Sequence, residues 1–373
     1  MKNLRIDMDK RILSLVGLSL LSLILIFVLN ASVLILEWFA VMFVIAIISW
    51  ALYATKFIEK REIYLTLLMF MIFSITYSFY FSPGLYVAKS QGTVLSDNWF
   101  NALNWIRNNT KDCAVIATYW DPGHFITGIA QRAVVFDGAS QNALLIRNTS
   151  SDESGMVIKK YDNGINRIMM FSNGTVTTAR IQDIAATLLT GNETLALDIL
   201  KEYKKLGCDE LYYIASSDLI SKSVWWSYFT TWEPAEKGKK YYYLMLGLSQ
   251  AKPIVAQNAI AYTYPMAEQQ SFVLYEINGT IKPYLQQGSQ FLSVEKIFYV
   301  TKDGMGAVKT YPDSEIKGLL WLTPDRQLLI YIPPELENSL FTKMYFFNGQ
   351  GLENFEFVNN WGGEVKLFRV KFE

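Results

Sequence analysis

The chain has 373 residues, 51% hydrophobic and 15% aromatic, and its 34 lysines and arginines balance 34 aspartates and glutamates. That balance excludes electrostatic steering onto nucleic acid, and the apolar content excludes disorder. With two cysteines and one histidine, a zinc centre built on those residues is excluded as well.

The apolar surplus concentrates in the first eighty residues. Residues 12–29 and 63–81 carry no charge, and residues 32–54 carry only Glu37, so each is long enough to cross a bilayer as a helix. The first run is longer than the core of a cleaved signal peptide, and a second run follows it at once. Lys2, Arg5, Lys10 and Arg11 precede the first span, and Lys56, Lys60 and Arg61 lie between the second and third. Those two basic segments belong on the cytoplasmic side, which puts everything after residue 81 outside the cytoplasm. The expected location is the cell membrane, with a multi-pass anchor.

The expected fold is therefore a membrane-anchored α/β protein. Three transmembrane helices occupy residues 1–81, an extracytoplasmic α/β domain residues 82–252, and a β-rich part residues 253–373. A helix capped by Ser96 opens the domain, with Trp99, Ala102, Leu103 and Ile106 on one face. A strand is predicted at 113–118, a helix at 124–132 and a short strand at 133–136. Residues 137–170 are polar and rich in Gly, Ser and Asn, and read as a long mobile loop. Helices are predicted at 177–190 and 193–205, a strand at 210–215 and a helix at 217–230. Strands alternating with helices argue for a mainly parallel sheet. Beyond residue 252, strands are predicted at 271–277, 295–300, 318–322, 327–332 and 365–372, with one helix near 335–344. Cys113 and Cys208 have the option of pairing, but beside strands a free buried thiol is the commoner fate.

Tyr119-Trp120-Asp121-Pro122-Gly123 sits where the strand at 113–118 gives way to a helix, with His124 directly behind it. A carboxylate accepts while an indole and a phenol donate, so this cluster is able to grip a small hydroxyl group. Asp-Pro-Gly is also a stock turn, in which Pro presets φ and Gly takes a positive φ. His124 reads as a helix-start residue, since no serine or cysteine nucleophile pattern accompanies it. A second polar turn follows the strand at 210–215. On a continuous helix, Lys222, Trp226 and Phe229 fall along one face, equally suited to a core stripe or to a pocket wall.

Tyr119 to Gly123 resembles the Trp-Trp-Asp-Tyr-Gly signature of oligosaccharyltransferase catalytic subunits in their archaeal form. Tyr119 stands in place of a Trp and Pro122 in place of a Tyr. The segments at 96–110 and 339–352 resemble the family's flanking helix and a stretch near its C-terminus, and the likeness covers only the C-terminal portion of the family's usual chain. In that family the signature holds the Ser or Thr hydroxyl of an Asn-x-Ser/Thr acceptor, while a glycan passes to Asn from a polyprenyl (dolichyl) phosphate or pyrophosphate carrier. A second family motif, Asp and Lys preceding a Met and an Ile on a helix, maps onto Lys222, Trp226 and Phe229. Asp218 stands one residue further upstream than that motif places its Asp.

The resemblance implies acceptor-sequon binding by Tyr119, Trp120, Asp121, Pro122, Gly123, Lys222, Trp226 and Phe229. It also implies a divalent metal, Mn or Mg, held by acidic loops between earlier membrane helices. No ligand set for that metal is identifiable in this chain, where only Asp7, Asp9, Glu37, Glu59 and Glu62 precede the extracytoplasmic part. The implied partners are acceptor proteins carrying Asn-x-Ser/Thr, a lipid-linked oligosaccharide, the membrane, and a separate chain supplying the missing transmembrane half; no nucleic acid is expected. A membrane-anchored sequon-binding module and a cell-surface protein without enzymatic partner are the alternatives. The sequons at Asn108, Asn148, Asn173, Asn192 and Asn278 are compatible with all three.

Overall fold

Helix α1, Asp97–Asn109, starts as its sequence dictates: Ser96 is the N-cap and its hydroxyl accepts from Trp99 N. Asp97 in the first turn and Arg107 in the last complement the helix dipole, while Ala102, Leu103 and Ile106 are buried. The computed structural model describes residues 64, 95–139, 143–249, 253–256, 259–301 and 304–372. The spans expected at 12–29, 32–54 and 63–81 lie outside the described residues, Tyr64 apart. Among the described residues no helix is long and apolar enough to cross a membrane.

The first sheet has the order β17 (Phe355–Trp361), β18 (Val365–Val370), β7 (Leu211–Ser216), β1 (Val115–Ala117) and β2 (Ala133–Val134). Strand β1 runs parallel to both β2 and β7, and all three residues of β1 are buried. The expectation of a mainly parallel sheet holds for these three strands and no further. β18 pairs antiparallel with β7 and with β17. Gly362 and Gly363, both at positive φ, make the tight turn that returns β17 directly into β18, and such a hairpin is necessarily antiparallel.

Residues 137–170 are not a long loop. Strands β3 (Leu144–Asn148), β4 (Gly155–Lys160), β5 (Asn166–Ser172) and β6 (Thr175–Ala179) form a sheet in the order β3-β6-β5-β4. The Asn and Gly residues that read as loop composition turn the chain between strands: Asn163-Gly164 and Asn173-Gly174 all take positive φ. Helix α3 (Arg180–Leu189) starts three residues later than its apolar pattern suggests, because residues 175–179 belong to β6. Helix α4 (Glu193–Lys201) is capped by the Asn192 side chain, which accepts from Thr194 N and Leu195 N. The helix expected at 217–230 is broken at Lys222 into α5 (Asp218–Ser221) and α6 (Ser223–Thr231).

A nine-stranded sheet follows: β8 (Leu244–Gly247), β9 (Ile254–Ala256), β10 (Ala259–Pro265), β11 (Gln270–Ile277), β12 (Thr280–Gln287), β13 (Gln290–Val300), β14 (Gly306–Thr310), β15 (Ile316–Leu322) and β16 (Leu328–Ile332). It curls on itself, since Ser249 N donates to Thr263 O at 2.8 Å just past β8. The curl encloses its own core, including Tyr264, Phe272, Ile281, Ile297 and Leu320. The expected helix near 335–344 is present as α7 (Pro334–Glu337) and α8 (Leu340–Phe347). The largest core joins the first sheet, α3, α4 and α8 with Leu319, Ile330 and Ile332 of the second sheet.

Cys113 and Cys208, whose pairing the sequence left open with free thiols as the commoner fate, form a disulfide with Cα atoms 6.0 Å apart. Each lies shortly before one of two adjacent parallel strands, and the pairing of Val115 with Leu211 brings both to the same end of the sheet.

Candidate functional site

Strands β1 and β7 deliver the two halves of the site, because parallel neighbours discharge their loops at one edge of the sheet. Past β1 the chain turns over Trp120–Gly123, with Gly123 N donating to Trp120 O at 3.2 Å and Pro122 at φ −78°. Pro122 plays its expected part, whereas Gly123 does not adopt a positive φ. Glycine is needed there for proximity: a Cβ would stand 2.4 Å from Asp137 Cβ and 2.7 Å from its Cα. Helix α2 (Gly123–Phe125) begins at the turn, and the next five residues, Ile126–Ala130, widen into π-helical geometry. Gln131 then ends the helix in the left-handed region. His124 is the second residue of α2 and is largely exposed, with Nδ1 at 3.8 Å from Asp137 Oδ2.

Past β7, Lys222 ends α5 and opens α6 at φ −86°, ψ 0°. Its ammonium stands between two carboxylates, 2.6 Å from Asp121 Oδ2 and 2.7 Å from Asp218 Oδ2. The Asp218 contact is a hydrogen bond donated by Nζ, and the Asp121 contact is an ion pair. Burial works against the charge on Lys222, but its contacts with Asp121 and Asp218 outweigh it and raise the pKa, so the ammonium is retained. Tyr119 is 1% exposed. Burial, and then the Asp121 charge, push its phenol far above the usual range and keep it a neutral donor.

A cavity of about 260 Å³ opens beside this pair, lined by Tyr119, Trp120, Asp121, Lys222, Phe229, and also Ile181 and Trp225. The structure thus brings Tyr119, Trp120, Asp121, Lys222 and Phe229 together. Pro122 and Gly123 shape the turn from behind, and both are buried. Trp226 is elsewhere: it is fully buried, donates Nε1–H to Leu219 O at 3.0 Å, and packs on Phe341 and Tyr243. The cavity wall takes Trp225, which is 53% exposed, with Lys240 Nζ 5.5 Å from its ring centroid. The break at Lys222 removes the continuous helix on which the 222, 226, 229 face was counted.

Ile181 and Trp225 are lining residues that sequence reasoning missed. Ile181 is carried by α3, whose placement rests on buried charge. Asp183 accepts from Arg167 Nε at 2.7 Å, Thr178 Oγ1 at 2.8 Å and Tyr203 OH at 2.7 Å. Gln182 next to it accepts from Ile168 N and donates to Phe229 O, tying β5, α3 and α6 together. No periodicity in the sequence announces such a lining position.

The arrangement presents one carboxylate, one indole and one phenol to a small apolar-walled cavity, with a fixed cation behind the carboxylate. It suits recognition of a neutral hydroxyl. It does not fit a divalent metal, because the two carboxylates are already bridged by an ammonium. Among the described residues no group of three or more His, Cys, Asp or Glu converges elsewhere for such an ion.

No protein-family model matches the chain. It is similar to the dolichyl-phosphooligosaccharide-protein glycotransferase of Methanocaldococcus jannaschii, 24% identical over 325 residues, covering 73% of this chain and 33% of the relative. The protein of the same description from Methanococcus voltae is 22% identical over 327 residues, covering 69% and 35%. The chain therefore spans about a third of the length of these curated relatives. Among solved structures, the C-terminal globular domain of an oligosaccharyltransferase from Pyrococcus abyssi aligns with a TM-score of 0.41 at 16% identity, covering 73% of this chain and 50% of that one.

Proposed function

From its kinship with the C-terminal portion of the archaeal dolichyl-phosphooligosaccharide-protein glycotransferases, we propose that the chain holds the Ser or Thr hydroxyl of an Asn-x-Ser/Thr acceptor during N-glycosylation. The observation that carries this reading is the Lys222 ammonium set between Asp121 and Asp218 at the edge of the cavity. Lys222 occupies Oδ2 of Asp121 and fixes the carboxylate, leaving Oδ1 to accept from the hydroxyl. The Trp120 indole and the Tyr119 phenol are the donors for its lone pairs. With a peptide seated against Ile181, Trp225 and Phe229, an analogue without the hydroxyl leaves Asp121 Oδ1 cut off from water with no donor to accept from, and binds less tightly.

On this reading the chain acts at the cell membrane, with residues 95–373 outside the cytoplasm, as part of a glycosyltransferase. It positions the acceptor while a glycan passes to the Asn side chain from a polyprenyl phosphate carrier. The carrier, and any Mn or Mg ion that assists its departing phosphate, are held by residues outside this cavity, in this or a separate chain.

Binding of fluorescent Asn-x-Thr and Asn-x-Ala peptides to the full chain tests the reading. The Thr peptide is expected to bind more tightly, and Asp121→Ala to reduce its affinity about ten-fold or more and erase the preference, as loss of one partner of a buried hydrogen bond does. Equal affinity of both peptides for the unmutated protein would overturn the assignment.

A further inference from the structure

The outer face of the curled sheet carries a second surface with the chemistry of a ligand site, which shares no residue with the Asp121 cavity. Tyr275 of β11, Tyr284 of β12 and Phe291 of β13 stand side by side there. Ring centroids are 5.8 Å apart from Tyr275 to Tyr284 and 6.4 Å apart from Tyr284 to Phe291. Cross-strand aromatic pairs stabilise antiparallel sheets, and that alone would account for three rings. It does not account for the groove beside them.

The segment after β14 rises next to β12 and walls a groove of about 340 Å³, whose lining includes Lys282, Tyr284, Ser293, Tyr311 and Asp313. The wall is fixed: Tyr311 OH donates to Ile281 O at 2.7 Å, and the Glu315 carboxylate accepts from Ser293 N at 2.8 Å. Lys282 and Asp313 line the groove, and neither side chain has an ion-pair or hydrogen-bond partner among the described residues. The Tyr284 ring, held edge to face between Tyr275 and Phe291, is thus flanked in the groove by one uncommitted cation and one uncommitted carboxylate.

We infer that this groove binds a neutral oligosaccharide, stacked on Tyr284 and hydrogen-bonded through its hydroxyls to Asp313 and Lys282. A sugar ring offers an apolar C–H face to an aromatic ring and a rim of hydroxyls that both donate and accept. That pattern matches an aromatic ring beside an acceptor and a donor. Other ligand classes fit less well. The lysine and aspartate cancel, so a polyanion gains nothing from the field of the groove. β12 is paired on both sides, by β11 and β13, so no free edge is present for an extended peptide to add as a strand.

The test uses the full chain in a detergent without a sugar headgroup. Its probes are a panel of neutral tetrasaccharides of glucose, mannose, galactose and N-acetylglucosamine, with binding followed by saturation-transfer NMR and titration. At least one tetrasaccharide is expected to bind. Tyr284→Ala, and independently Asp313→Asn on the loop, should each weaken it about ten-fold, the scale of one lost hydrogen bond to a charged group. Asp121→Ala in the other cavity should leave it unchanged. Because Tyr284 also packs within the sheet, its variant counts only with a retained melting temperature, and Asp313→Asn carries the test if that is lost. Failure of every tetrasaccharide to bind overturns the proposal. So does binding indifferent to both groove variants, or binding that Asp121→Ala abolishes.

Discussion

Two lysines show how the same side chain takes opposite parts according to what surrounds it. Lys222 loses water but gains two carboxylates, and the pair of contacts outweighs burial. Lys366 is 9% exposed and meets no carboxylate: its Nζ donates to Tyr345 O in the last turn of α8 and to Asn348 Oδ1, and lies 5.0 Å from the centroid of the Tyr345 ring. A helix C-terminus favours a cation, yet burial dominates and pushes the Lys366 ammonium down to about 8. In the unfolded chain a lysine titrates near 10.4. Below about pH 8 both states hold the proton, and the fold bears the whole cost of burying the charge. From about pH 8 to 10.4 the unfolded state binds more protons, so stability should rise with pH through that window and then level off. The rise is at most about 3 kcal/mol for a shift of this size. Urea titrations at pH 7, 8, 9 and 10 measure it. Lys366→Met should flatten the profile and raise stability at pH 7, and an unchanged slope would show that the ammonium is not desolvated.

At the scale of elements, the site depends on two parallel strands held at both ends. Their C-terminal ends lead to Asp121 and Lys222, and near their N-terminal ends the Cys113–Cys208 disulfide joins them across a sequence separation of 95. Closing so long a loop restricts the unfolded chain, and removing the bond should cost about 2–4 kcal/mol. Thermal unfolding with and without dithiothreitol, and of Cys113→Ser, should show matching losses, whereas insensitivity to both would mean the thiols are free. The strands at 113–118 and 210–215 were legible because each is a short apolar run between turn residues. The helix at 96–110 was legible from its Ser96 cap and apolar face, and the helix at 193–205 from its helical pattern. The sheet formed by β3 to β6 was hidden, because its strands are short and half-exposed and its Asn-Gly hairpins raise the polar content of the whole stretch. The Tyr119–Gly123 turn could be read as one unit, since all its parts are local. Trp225 could not be distinguished from Trp226, because the break falls at Lys222, whose ammonium contacts carboxylates on two separate segments. Sequence spacing does not record such a contact.

For the whole molecule, two independent lines bear on where residues 95–373 reside. The first is charge: seven basic residues flank the three apolar runs, four before the first and three between the second and third, and none lies in the short link at 30–32. Under the proposed topology that distribution places the leader and the connection at 56–61 in the cytoplasm and the remainder on the opposite side. The second is redox chemistry, which owes nothing to charge: a disulfide between Cys113 and Cys208 persists in an oxidising compartment and is rare in a reducing one. Both agree with the proposed placement of the Asp121–Lys222 site outside the cytoplasm. Single cysteines introduced at residue 3, at residue 58 and at residue 350, in a background lacking Cys113 and Cys208, allow a direct test with a membrane-impermeant maleimide on intact cells. Only the cysteine at 350 should label before permeabilisation, and all three after it. Labelling at residue 58 on intact cells would invert the topology. The acceptor reading would fall with it, because a hydroxyl grip on the cytoplasmic side would face proteins that have not crossed the membrane.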